Sequence, residues 1–92
     1  ERLQPYEFAL HQNYPNPFNP ATTISFSLPR TEFTVLEVYS LLGKRVATLN
    51  SGVLSSGEHT IRWQPKDVPS GMYVYRLQAG ELRQFKKLVY LK

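Results

Sequence analysis

Apolar and polar residues alternate one for one along much of this chain. In TTISFSL, residues 22–28, the alternation puts Ile24, Phe26 and Leu28 on one face and Thr23, Ser25 and Ser27 on the other. Successive side chains of a strand point to opposite sides of its sheet, so this spacing predicts a half-buried strand. Pro29 ends it, because proline has no N–H for the ladder. FTVLEVYS, residues 33–40, repeats the pattern, with Thr34, Leu36 and Val38 opposite Val35, Glu37 and Tyr39, and carries apolar area on both faces. LLGKR follows as a turn in which Gly43 can take a positive φ, and RVATL, residues 45–49, continues as a short strand. A helix over residues 34–49 competes, since Leu36, Leu42, Val46 and Leu49 approximate a helical stripe; the β-branched residues and the central glycine oppose it.

NSGVLSSG, residues 50–57, reads as a loop from its glycines and small polar residues. EHTIRW then places His59, Ile61 and Trp63 on one face of a further strand. QPKDVPSG is a second turn-like stretch with Pro65, Pro69 and Gly71 as breakers. MYVYRLQAG and RQFKKLVYLK read as a hairpin turning at Gly80, with Tyr73, Tyr75 and Leu77 on one side of its first strand. Ahead of all these lies YEFALHQNYPNPFNP, which has no helical period. Its prolines, Pro15, Pro17 and Pro20, turn the preceding residues away from helix and favour an extended entrance to the first long strand, with Phe18 as its anchor. The pattern predicts an all-β chain: an immunoglobulin-like antiparallel β-sandwich of about seven short strands. Residues 1–12 are expected to hold a linker end, Glu1 to Pro5, and a candidate first edge strand around Tyr6 to Leu10. Residues 13–92 are expected to form the sandwich.

Composition narrows the function classes. Ninety-two residues, 41% hydrophobic and 20% charged, make one modest core. The absence of cysteine excludes disulfides, thiolate metal sites and a cysteine nucleophile, and leaves the compartment open. No apolar run approaches the roughly 20 residues of a membrane-spanning helix. The net charge of +4 is spread from Arg2 to Lys92, with Arg83, Lys86 and Lys87 nearest to a cluster. A nucleic-acid reader would carry a denser basic stripe, so no nucleic-acid partner is expected. The chain opens on Glu1 without a basic and apolar leader, which points to a piece of a longer precursor.

Candidate chemistry is sparse. His11 and His59 lack neighbours at metal-ligand spacing, GxSxG and glycine-rich phosphate motifs do not occur, and the acidic residues are scattered. No catalytic, metal or cofactor-binding residue is expected. The aromatics leave two readings open. Phe26 and Trp63 can form the core while the tyrosines cover sheet faces with their hydroxyls in water. Alternatively Tyr73, Tyr75 and Trp63 can serve a carbohydrate-binding or accessory sandwich of a secreted enzyme.

Three blocks carry a resemblance. LHQNYPNPFNPATTISFSLP, VLEVYSLLGKRVATL and GEHTIRWQPKDVPSGMYVYRLQAG, closing on KKLVYLK, together resemble the type A C-terminal sorting domain of type IX (Por) secretion, found on secreted proteins of Bacteroidetes and related phyla. The middle blocks are also similar to the immunoglobulin-like domain of flagellar hook capping proteins. The sorting-domain resemblance implies a non-catalytic targeting module joined to an upstream passenger. The domain would be recognised by the type IX outer-membrane machinery after the passenger crosses the inner membrane by the Sec route, and in many members then removed by a sortase-like peptidase. The implied destination is the cell surface or the medium, by way of the periplasm and outer membrane. The family's opening motif falls on Pro15, Asn16, Pro17 and Phe18, and its turn glycine on Gly43. Its tyrosine block falls on Ser70, Gly71, Tyr73, Tyr75 and Leu77, and its closing pattern on Lys87, Val89 and Lys92. Ser40 departs from the Asp or Asn that the family often has after VY, and WQPKD from its common WD. If the last strand forms a sheet edge, it would be available to a receptor by strand addition, with Lys86, Lys87 and Lys92 steering an acidic surface.

Overall fold

The computed structural model describes residues 6–92, so the linker reading of Glu1 to Pro5 lies outside the described residues. Seven strands follow in order: β1 (Ala9–Leu10), β2 (Thr22–Leu28), β3 (Glu32–Ser40), β4 (Arg45–Leu54), β5 (Gly57–Trp63), β6 (Gly71–Ala79) and β7 (Leu82–Tyr90). They form a three-stranded sheet ordered β1-β2-β5 and a four-stranded sheet ordered β4-β3-β6-β7, with every neighbouring pair antiparallel. This is the expected sandwich. Among the described residues there is no helix, and so none to cross a membrane.

The period-two faces set the core. Ile24, Phe26 and Leu28 of β2 meet Leu36 and Val38 of β3, Tyr73, Tyr75 and Leu77 of β6, and Leu88 and Tyr90 of β7 in one buried cluster. The hairpins turn where glycine allows it. Gly43, at φ 90°, donates its N–H to the Ser40 carbonyl between β3 and β4, and Gly80, at φ 59°, joins β6 to β7. Both conformations are open to glycine and resisted by residues with a Cβ.

Two expectations change. The supposed loop at residues 50–57 is strand for most of its length: β4 runs to Leu54, β5 begins at Gly57, and Ser55 and Ser56 alone connect them. Asn50, Ser51 and Gly52 look loop-like because β4 is an outer strand, wetted along its rim. They nevertheless pair with Leu36, Val35 and Thr34, and the Asn50 side chain donates to the Thr34 carbonyl at 2.8 Å. The tyrosines also differ. Tyr73, Tyr75 and Tyr90 lie in the core, and the hydroxyls of Tyr73 and Tyr75 donate to the carbonyls of Pro69 and His11 instead of facing water. The buried phenols of Tyr73 and Tyr75 are tolerated because each finds a backbone acceptor.

Leu36 is fully buried at the centre of β3, flanked by β4 and β6. Leu36→Ala is therefore expected to lower unfolding stability by about 2 to 5 kcal/mol, measured by urea titration, with the folded-state spectrum retained.

Candidate functional site

The NYPNPF segment leaves β1 on the three-stranded sheet and ends on the four-stranded one. Tyr14 bridges to Thr23 of β2, whereas Phe18 bridges in parallel to Tyr90 of β7. Between these points the chain is bent, not extended as its prolines led one to expect; the peptide bonds before Pro15, Pro17 and Pro20 are cis. Asn13 organises the bend. Its buried amide donates to the Pro15 carbonyl at 3.1 Å and to Thr22 Oγ1 at 3.0 Å, and the Thr22 hydroxyl donates to the same carbonyl at 2.9 Å. The Asn13 N–H donates to the Tyr75 hydroxyl at 2.8 Å, and that hydroxyl donates onward to the His11 carbonyl at 2.7 Å. A core tyrosine of β6 thus holds the entering segment from below. Burial pushes its phenol up to about 12, opposed by the Asn13 N–H.

Phe18 closes the end of the sandwich. It is 2% exposed, with its ring 5.1 Å from Tyr90 and 5.9 Å from Trp63, and Trp63 in turn meets Tyr73 edge-on at 6.4 Å. The Phe18 N–H donates to the Val89 carbonyl at 3.0 Å, and the Leu91 N–H donates to the Phe18 carbonyl at 3.1 Å. Asn16 Oδ1 accepts the Val89 N–H at 2.9 Å, and the Gln12 side chain donates to the Lys87 carbonyl at 2.6 Å. β7 is the last strand of its sheet, as expected, but its outward backbone from Lys87 to Leu91 is covered by the chain's own N-terminal segment. Strand addition at that stretch would require the segment to leave.

The chain matches the secretion system C-terminal sorting domain family over residues 12–91. It belongs to that family. A comparison with curated proteins finds no match. As a type IX sorting domain it marks its protein for export to the cell surface or the medium, and its family is in general non-catalytic. Among the described residues no group of histidine, cysteine or carboxylate side chains is placed to hold a metal ion.

The sorting domain draws most of the sequence-singled residues to one end. Asn16 and Phe18 touch Val89, Gly71 pairs with Tyr90, and the Lys92 N–H donates to Ser70 Oγ at 2.8 Å. Tyr73 lies beneath them in the aromatic cluster, while Pro15, Pro17 and Lys92 are exposed above it. Gly43 stands apart in its own hairpin turn, although Ser40, where that turn begins, pairs with Tyr73. Lys86 and Lys87, as strand neighbours, point to opposite faces; Lys87 is exposed and Lys86 half-buried, and the two do not form a joint basic patch with Lys92. Tyr73 and Tyr75 are buried, which removes them as the sugar-stacking surface of the carbohydrate reading.

One cluster escaped the sequence. Glu37 is buried on the outer face of the four-stranded sheet, where Arg76 of β6 pairs directly opposite it. Its carboxylate accepts from the Tyr39 hydroxyl at 2.6 Å and lies 3.2 Å from both Arg45 and Arg76, and the Arg76 guanidinium sits 5.3 Å over the Tyr39 ring. The Tyr39 hydrogen bond, helped by Arg45 and Arg76, holds the Glu37 carboxyl below its ordinary value of 4.5 even though burial works the other way. The available signal was two lone charges of opposite sign, each at an outward position of an otherwise apolar strand.

Phe18→Ala is expected to cost about 3 to 5 kcal/mol and Asn16→Ala about 1 kcal/mol, read as shifts in denaturant midpoint. Because Glu37 is more acidic folded than unfolded, its contribution is complete above pH 4.5 and is lost as pH falls through the lower folded value. Acid titration of Glu37→Gln should show a shallower loss of stability in that window than the parent.

Proposed function

We propose that the type IX outer-membrane machinery reads this domain as a folded address for a passenger joined upstream, and that a sortase-like peptidase later separates the two. The address is the end of the sandwich built by Pro15, Asn16, Pro17, Phe18, Gly71, Tyr73, Val89 and Lys92, with the Gly43 turn and the Lys87 side chain as its margins. The observation that carries this reading is the meeting of motif residues from opposite ends of the matched region, Asn16 and Phe18 with Val89. Such a surface exists only when β7 and the entering segment are both in place, so recognition of it distinguishes a folded domain from an unfolded one. Phe18 and Tyr73 support the surface from the core; Pro17, Lys87 and Lys92 are its accessible contacts. Exposed contacts of this kind set specificity and encounter more than stability.

Removing residues 86–92 would also remove Leu88 and Tyr90 from the core, so loss of export by that deletion would report unfolding. Residues 1–92 placed behind a Sec signal and a reporter should export the reporter from a type IX host and not from a strain lacking the system. Changing Lys87 and Lys92 together to alanine should reduce that export about tenfold, equivalent to ~1.4 kcal/mol of recognition, with melting unchanged. Full export by the double variant would place the address elsewhere on the domain.

A further inference from the structure

The four outer strands of the two sheets are protected unequally. β7 is covered from Lys87 to Leu91 by residues 12–18, and β1 lies beside its first half, where the Leu10 N–H donates to Gln84 Oε1 at 2.8 Å. β4 is long, but its pairing with β3 shifts register twice, between Leu36 and Glu37 and between Val38 and Tyr39. Bulges of this kind twist an edge and discourage further pairing. β5 has neither protection. It pairs with β2 through seven consecutive residues without a shift, contains no proline, and is the last strand of its sheet.

The hydrogen-bonding parity of β5 can be read from its neighbours. Thr23 bonds to Tyr14, and the Ser25 carbonyl accepts from His11, so these two residues turn their backbone towards β1. Thr22, Ile24, Phe26 and Leu28 therefore bond to Trp63, Ile61, His59 and Gly57. The N–H and C=O groups of Glu58, Thr60 and Arg62 point outward from the sheet, and among the described residues no other segment bonds to them. The side chains of the same three residues are exposed.

We propose that this edge pairs with the β5 edge of a second copy, antiparallel and centred on Thr60. A two-fold axis there sets Thr60 opposite Thr60, Glu58 opposite Arg62 and Arg62 opposite Glu58. Each of the three facing pairs exchanges both backbone hydrogen bonds, and opposite charges face each other twice. The other registers available to these outward groups are poorer. Centring on Glu58 or Arg62 opposes like charges at the axis, and centring between them on His59 or Ile61 keeps two facing pairs and no ion pair. Directly opposed charges on adjacent strands favour or disfavour a pairing according to sign, so the sequence E-x-T-x-R specifies one self-complementary alignment. The product is a continuous six-stranded sheet, β1-β2-β5 joined to its symmetry mate, with an isologous interface. Its small area makes it a weak, concentration-dependent dimer.

The test uses the 92-residue chain by sedimentation equilibrium and amide NMR, from about 0.05 to 1 mM, the range in which so small an interface would populate. The parent should associate, with the amides of Glu58, Thr60 and Arg62 shifting and gaining exchange protection as concentration rises, while those of His59 and Ile61 are protected throughout. Glu58→Arg and Arg62→Glu should each weaken self-association about tenfold. An equimolar mixture of the two variants should restore it as a heterodimer, because each then meets charges of the other sign. A parent that remains monomeric at 1 mM overturns the proposal, as do concentration-dependent shifts on β4 in place of β5. So do folded charge variants that associate like the parent, or a mixture that fails to associate.

Discussion

The parallel contact between Phe18 and the end of β7 is the constraint on which the rest of the sandwich depends. β6 satisfies only one side of β7, and Val89 and Leu91 turn their outward groups to Asn16 and Phe18. The same short segment delivers the Phe18 ring to Trp63 and Tyr90, where it closes the core between the two sheets. Backbone pairing and apolar burial therefore hold one another in register. A ring placed a residue earlier or later would face water, because Pro17 and Asn19 on either side of Phe18 are both exposed. Asn13 fixes that count by tying itself to Pro15, Thr22 and Tyr75 before the segment reaches β7.

This arrangement explains why the domain has one closed side and one open side. The entering segment spans the gap between β2 and β7, so both sheets share a continuous seam of hydrogen bonds there. On the other side, β4 and β5 are joined by Ser55 and Ser56, and among the described residues no strand lies between the sheets. The His59 ring spans part of this opening, stacked 5.5 Å from Phe26 and donating to the Ser55 carbonyl at 2.7 Å. A histidine that looked solitary in the sequence is thus a support for the β4 to β5 connection. Surface charge follows a related logic: Glu37 would be an uncompensated charge on β3 without Arg45 and Arg76 on the strands beside it, and the network converts a buried acid into a cross-strand tie.

Strand positions were legible wherever one face was buried and the other wet. TTISFSL and MYVYRL show their parity because every second side chain enters the core. Residues 50–54 hid theirs because an outer strand needs little apolar area, and glycine with small polar residues carries no alternation. The aromatic residues were visible but not their orientation: Tyr75 reads as an interfacial tyrosine until Asn13 and His11, more than sixty positions away, are seen to bracket its hydroxyl. For the candidate site, the identities of Asn16, Phe18 and Val89 could be recognised as a pattern, whereas their mutual contact belongs to the tertiary structure. Proline gave the segment's stiffness without its direction, since the side-chain bonds of Asn13 decide where it bends.

The seam also has a mechanical sense. Residues 12–18 run in the same direction as β7, with Gln12 near Lys87, Asn16 at Val89 and Phe18 against Tyr90. Tension applied between the two ends of the chain pulls these parallel segments along their length in opposite directions. The bonds at Lys87, Val89 and Leu91 are then loaded side by side and must yield together; in an antiparallel hairpin pulled from its open end they would break in succession. A protein drawn by what lies ahead of this domain would therefore meet its firmest resistance at the clasp between its own first and last segments.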